Sequence, residues 1–231
     1  MKVHVSYAHL FFAQSQRRCC ETALEHGFDK SIPLGLKDID DAFFSANERT
    51  LSQLRGAGFW LWKPYVILMT LQSMGDSDWL MYTDAGMYFI RDPWSYILAA
   101  DELVGEQGVI AMGRCAANRE YTKRDAFVLM GMDEPRYTDA EQITASVVVC
   151  RNTTFARSFL EEWLAYATDP RILTDLPNTQ GLPNYPEFKD HRHDQSIMTL
   201  LCIRHGVPVL GDITEIGMPD DPYLVHTRDR A

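Results

Sequence analysis

Four consecutive apolar residues, Trp79-Leu80-Met81-Tyr82, run directly into Thr83-Asp84-Ala85-Gly86. An uninterrupted apolar run of strand length belongs in a strand covered on both faces. Such strands occur where helices flank a mostly parallel sheet. In open α/β sheets, ligands bind beyond the carboxyl ends of the strands. The run therefore predicts a buried central strand with Asp84 at the edge of a binding crevice. Ala85 and Gly86 leave room for close backbone approach there. A carboxylate so placed reaches a divalent cation or a ribose hydroxyl, although the four residues alone fit a turn or a helix cap equally well.

The rest of the chain repeats this alternation of strand and helix. Lys2 to Tyr7 alternates in the manner of a first strand, and Gln14 to His26 is helical, with Gly27 placed to cap it. A short strand over Phe28 to Leu34 and a polar helical connector over Asp40 to Arg55 follow. Pro64 suits the first turn of a helix reaching Met74. Gly108 to Met112 and Ile143 to Cys150 read as further strands, the second carrying Val147-Val148-Val149. Thr153 to Ala167 places Phe155, Phe159 and Trp163 on one helical face. Pro170 to Pro186 is expected to be an irregular loop. A helix then opens at His191-Arg192-His193-Asp194-Gln195-Ser196 and ends at Gly206, followed by a short strand over Val207 to Leu210. No repeat or linker divides the chain, so residues 1–231 are read as a single α/β domain.

Twenty-two lysines and arginines stand against 32 aspartates and glutamates, for a net charge of −10. That balance, with no basic stripe, argues against nucleic acid as a partner. It does not describe any one pocket. The five cysteines are odd in number and scattered, without a C-x-x-C pair. With no secretory h-region at the start, they point to a reducing, cytoplasmic setting. No apolar stretch approaches the ~18 residues of a membrane span, which leaves peripheral contact as the expected form of any membrane association.

Several polar residues stand out against this frame. Lys63 lies between aromatics in Gly56-Ala57-Gly58-Phe59-Trp60-Leu61-Trp62-Lys63-Pro64-Tyr65, just ahead of a helix, where an ammonium is well placed for a diphosphate. Two of Trp60, Trp62 and Tyr65 are expected in the core. The charged and amide groups of His191 to Ser196 crowd a helix N-terminus, where Asp194 is favoured by the dipole and can orient a substrate hydroxyl. His193 alone reads better as a capping residue. His191 and His193 form an H-x-H pair, but no second ligand pair at zinc spacing accompanies it. His226 stands alone near the end, with Arg228 two residues beyond.

Taken in order, these segments resemble GT-A nucleotide-sugar glycosyltransferases. Trp62 to Leu68 and then Trp79 to Gly86 resemble the helix and strand that lead to the Asp-X-Asp motif of that class. Ile143 to Asn152 resembles the strand written Asn-Ala-Gly plus valines in the glycogenin and lipopolysaccharide galactosyltransferase type. His193 to Met198 resembles its Asp-Gln segment, and Val225-His226 its late metal-binding histidine. A nearer likeness is to uncharacterised bacterial and viral glycosyltransferase-like proteins with Trp-Lys-Pro-Tyr, Asp-Ala-Gly and His-Arg-X-Asp-Gln-Ser signatures. Two departures are plain: Gly86 stands where Asp-X-Asp has its second carboxylate, and Ala145-Ser146 stands where Asn-Ala-Gly is read.

The resemblance implies a GT-A, Rossmann-like domain with a central mixed, mostly parallel sheet flanked by helices. It implies a nucleotide-sugar donor and a saccharide or lipid-linked acceptor, with surface polysaccharide as the usual product. It further implies Mn²⁺ or Mg²⁺ on Asp84 and His226, and catalytic roles for Asp194 and Gln195. Trp60, Lys63, Lys123, Arg124, His191 and Arg228 are the implied substrate-binding residues. Two rival readings use the same residues: a metal-dependent nucleotide-sugar hydrolase with water as acceptor, and a non-catalytic nucleotide- or sugar-binding module.

Overall fold

A computed structural model of the chain describes residues 1–227. Among the described residues eight strands form, β1 Lys2–Tyr7, β2 Lys30–Leu34, β3 Trp79–Thr83, β4 Met87–Phe89, β5 Val109–Ala117, β6 Glu141–Arg151, β7 Val209–Leu210 and β8 Leu224–His226. Six of them make one sheet in the order β2-β1-β3-β6-β5-β7, and β4 and β8 pair separately. β1 is parallel to β2 and β3, and β5 is parallel to β7. β6 runs against both of its neighbours, β3 and β5. The sheet is therefore mixed and mostly parallel, as expected, and the valine-rich segment is its single reversed member among the described residues.

β3 lies in the interior of the sheet and is buried along its whole length. Leu80 and Tyr82 face one core and Trp79 and Met81 the other, as the two-residue side-chain period of a strand requires. The first core is closed by the helices Trp62–Gln72, Thr154–Ala167 and His193–His205. The second is closed by Ala13–Glu25 and the segment around Trp94 and Ile97.

Helix Trp62–Gln72 is buried on almost every side, including Trp62 through Leu68. A helix that is apolar all round belongs in the interior, and this one carries Lys63 inward with it. Asp40 and Thr153 accept from Phe43 N and Ala156 N and so cap the two helices that follow them. Gly206, at φ +63, ends the last long helix in the left-handed conformation that glycine adopts without a Cβ clash. The expected loop from Pro170 starts later. Asp169 accepts from Arg171 N and Pro170 occupies the first turn, so Pro170–Leu173 is helical and the irregular segment begins at Thr174.

Candidate functional site

The segment before helix Trp62–Gln72 is unusual in its backbone. Gly56, Ala57, Gly58, Phe59 and Trp60 have consecutive φ values of 57, 50, 102, 55 and 59°. They form one left-handed helical turn, closed by Phe59 N donating to Arg55 O and Trp60 N donating to Gly56 O. Left-handed conformation is readily available to glycine and costs other residues about 1–2 kcal/mol each. The glycines meet the tightest demand, since a Cβ on Gly58 would lie 2.7 Å from Leu51 Cα. Trp62 and Tyr65 then enter the core. Trp60 remains half-buried and stacks on His193 with ring centroids 5.5 Å apart.

The turn delivers Lys63 to the carboxyl end of β3. Its side chain is 3% exposed, and its ammonium lies 3.2 Å from Asp84 Oδ1 and 3.0 Å from Asp194 Oδ2. Lys63 Nζ donates one hydrogen bond, 3.0 Å long, to Ala145 O. Both carboxylate contacts are close ion pairs of the ammonium, and no group other than Lys63 meets the buried Asp194 Oδ2. Asp84 Oδ1 also accepts from Tyr82 OH at 2.7 Å, and Asp84 N donates to Ser146 O. Burial opposes the charge on Lys63, but Asp194 and Asp84 together outweigh it, so its pKa is raised and the ammonium persists. Burial likewise pushes the Asp194 carboxyl up to about 6, against the pull of Lys63.

These residues line a cleft of about 280 Å³ with Trp60, Ser146, Gln195 and two arginines, Arg55 and Arg192. Arg192 belongs to the charged segment His191 to Ser196 singled out in the sequence, whereas Arg55 escaped notice because an isolated basic residue in a polar segment carries no spacing signal. Arg55 pairs with Asp190 at 2.7 Å and Asp175 at 3.3 Å. Arg192 lies over the Tyr121 ring, 4.2 Å from its centroid.

The other residues singled out in the sequence are placed as follows. Gln195 lines the cleft and donates to Gln142 Oε1 at 2.7 Å. His191 also lines it, with Nδ1 accepting from Lys123 N and Nε2 donating to Ile172 O. Burial first, then the neighbouring His193, drives its pKa well below the usual histidine range, so it is neutral. His193 Nδ1 donates to Leu173 O. With these nitrogens committed to the backbone, the H-x-H pair is not arranged as a chelate. Lys123 turns away and its ammonium donates to Thr174 O and Leu176 O. Arg124 forks onto Asp133 Oδ2 through two nitrogens at 2.9 and 2.8 Å. Neither Lys123 nor Arg124 lines the cleft. Arg228 lies outside the described residues.

His226 sits on β8 opposite Met87, just past the Asp84-Ala85-Gly86 turn. Its Nδ1 is 3.0 Å from Glu215 Oε1, and the residue does not line the cleft. Among the described residues no three His, Cys, Asp or Glu side chains come together as a metal-holding group. Asp84 Oδ1 is already engaged by Tyr82 and Lys63, and a cation bound to Asp84 would share that carboxylate with the ammonium. Two unit charges 4 Å apart repel by about 4 kcal/mol at an effective dielectric of 20, and a divalent ion doubles this. Among the described residues the donor set does not fit a divalent metal.

No protein-family model and no curated sequence matches the chain. Solved structures do. A glycosyltransferase involved in the glycosylation of the major capsid of PBCV-1 superposes with a TM-score of 0.53 at 11% identity, over 100% of this chain and 94% of that one. Mouse xyloside xylosyltransferase 1 gives 0.53 at 10% identity, over 98% and 97%. The glycosyltransferase GlyE of Streptococcus pneumoniae gives 0.55 at 12% identity, over 99% of this chain but 55% of its own length. At these identities the likeness establishes the fold, which is of the GT-A type.

Proposed function

We propose that this protein is a glycosyltransferase. It moves a sugar from a nucleoside-diphosphate donor to a hydroxyl of a saccharide or lipid-linked acceptor, in the assembly of a surface polysaccharide. The single observation that carries the reading is the buried Lys63, paired with Asp84 and Asp194 in a cleft at the carboxyl end of β3, on a GT-A fold. That end is where α/β sheets bind ligands.

In the reaction, the bond between sugar C1 and the β-phosphate oxygen breaks and its electron pair stays on the phosphate. Charge builds on the departing diphosphate as that bond breaks; the acceptor oxygen forms the new bond to C1 and its proton passes to the released diphosphate. Cations fixed beforehand stabilise that charge without reorganising. Asp194 Oδ2, buried with only the Lys63 ammonium against it, supports a role in accepting a further hydrogen bond from a sugar or acceptor hydroxyl. Gln195 stands beside it for the donor sugar, and Trp60 offers an aromatic face to a base or sugar ring.

The test is incubation with a panel of UDP- and GDP-linked sugars, with a CMP-linked sugar as the monophosphate comparison, with and without saccharide acceptors, following nucleotide release and glycosylated product. Product that depends on both donor and acceptor is the expected result. Sugar released at a rate no acceptor raises would assign the cleft to hydrolysis, and absence of turnover and binding with every donor would refute the proposal.

A further inference from the structure

We infer that the Lys63 ammonium is itself the fixed cation that meets the donor's diphosphate, standing in for a divalent ion, so that nucleotide binding and transfer need no metal. The inference rests on the transferase reading above and concerns how that same site neutralises its ligand.

Four observations carry it. The ammonium is held in place by a helix buried on almost every side and by the left-handed turn ahead of it. Of its three N–H groups, one donates to Ala145 O. The other two N–H groups face Asp84 and Asp194, contacts that a phosphate oxygen entering the cleft would replace. The second carboxylate of Asp-X-Asp is missing for no steric reason, because a Cβ on Gly86 would meet nothing within 4 Å. His226, the other expected ligand, is paired with Glu215 and lies off the cleft lining.

Lys63, Arg55 and Arg192 face Asp84, Asp190 and Asp194 in the cleft lining, three cations against three carboxylates. A diphosphate binds there by exchanging its oxygens for carboxylate contacts of these cations. In the transfer step, an N–H of Lys63 donates a hydrogen bond to the β-phosphate oxygen as the C1–O bond breaks. The electron pair remains on the diphosphate and no proton leaves the lysine.

Thermal unfolding of the intact protein, with UDP and GDP as probes, tests this in excess EDTA and in Mn²⁺. A nucleotide that raises Tm should do so equally in both. Transfer from its sugar conjugate should persist in EDTA. Lys63→Met removes the cation but strands two carboxylates. The double variant Lys63→Met/Asp194→Asn, with Asp194→Asn as its control, keeps the pocket closer to charge balance. The control should retain the nucleotide shift and the double variant should lose it. A shift or turnover that requires Mn²⁺ and vanishes in EDTA, or a double variant that binds nucleotide as the control does, overturns the inference while the transferase reading stands. No shift with any nucleotide in either condition overturns the transferase reading itself.

Discussion

Lys63 Nζ lies 3.0 Å from Asp194 Oδ2, with neither side chain more than 5% exposed. The two residues come from different helices, and each is stable as an ion chiefly because of the other. Breaking a buried pair by removing one member leaves an uncompensated charge, at a typical cost of about 3–5 kcal/mol. Lys63→Met should therefore lower stability by about that much in urea denaturation. Lys63→Met/Asp194→Asn should recover part of the loss, a coupling that a double-mutant cycle measures directly.

Asp194 also sets a pH dependence. Its carboxyl has an ordinary value of 3.8 and is raised to about 6 in the fold by burial, opposed by Lys63 and reinforced by Asp84. Between those values the native state holds more protons than the unfolded one, so this residue's contribution to stability falls as pH rises from about 4 to about 6. Asp194→Asn should flatten the profile of Tm over that interval. Transfer should drop by about 10²–10³ in the same variant, comparable to losing one preorganised contact. An unaltered Tm profile would show that Asp194 titrates elsewhere.

Glycine substitutions should separate the turn ahead of Lys63 from the turn that follows Asp84. Gly58 has φ +102 and its Cβ position collides with Leu51. Gly58→Ala is expected to cost about 1–3 kcal/mol through backbone strain, and more if the turn cannot relax. Gly86 has open space around it, and Gly86→Ala should stay within about 0.5 kcal/mol of the parent. Equal effects from the two would contradict the geometry of the left-handed turn.

Arg55 offers a prediction of the opposite kind. It is 44% exposed and its partners Asp175 and Asp190 are also at the surface. Exposed ion pairs of this sort contribute about 0–1 kcal/mol. Arg55→Ala should leave Tm nearly unchanged and raise the donor KM, the result that distinguishes a ligand contact from a structural one.

The legible parts of this protein were those written in apolar periodicity. Lys2 to Tyr7 is the first strand as read, and the helix expected over Gln14 to His26 spans Ala13–Glu25. Lys63, Asp84 and Asp194 each sit at the end of a clear apolar element, which is why they could be singled out before their proximity was visible. The direction of β6 was not legible, because a run of valines looks the same in parallel and antiparallel neighbours. Nor were the partners of Lys123 and Arg124, which are fixed by a loop carbonyl pair and by Asp133. β4 is only three residues long. The left-handed turn includes Phe59 and Trp60, residues whose type gives no hint of positive φ.

The interior placement of helix Trp62–Gln72 has a consequence for how the cleft responds to its surroundings. Dissolved salt screens charges that water can reach, over about 8 Å at physiological ionic strength, and buried charges much less. Lys63 is reached from within the protein, while Arg55 stands at the rim. On the proposed role of Lys63, its contact with a bound diphosphate should therefore depend little on the ionic strength of the medium, while the steering contribution of Arg55 should fade as salt is added.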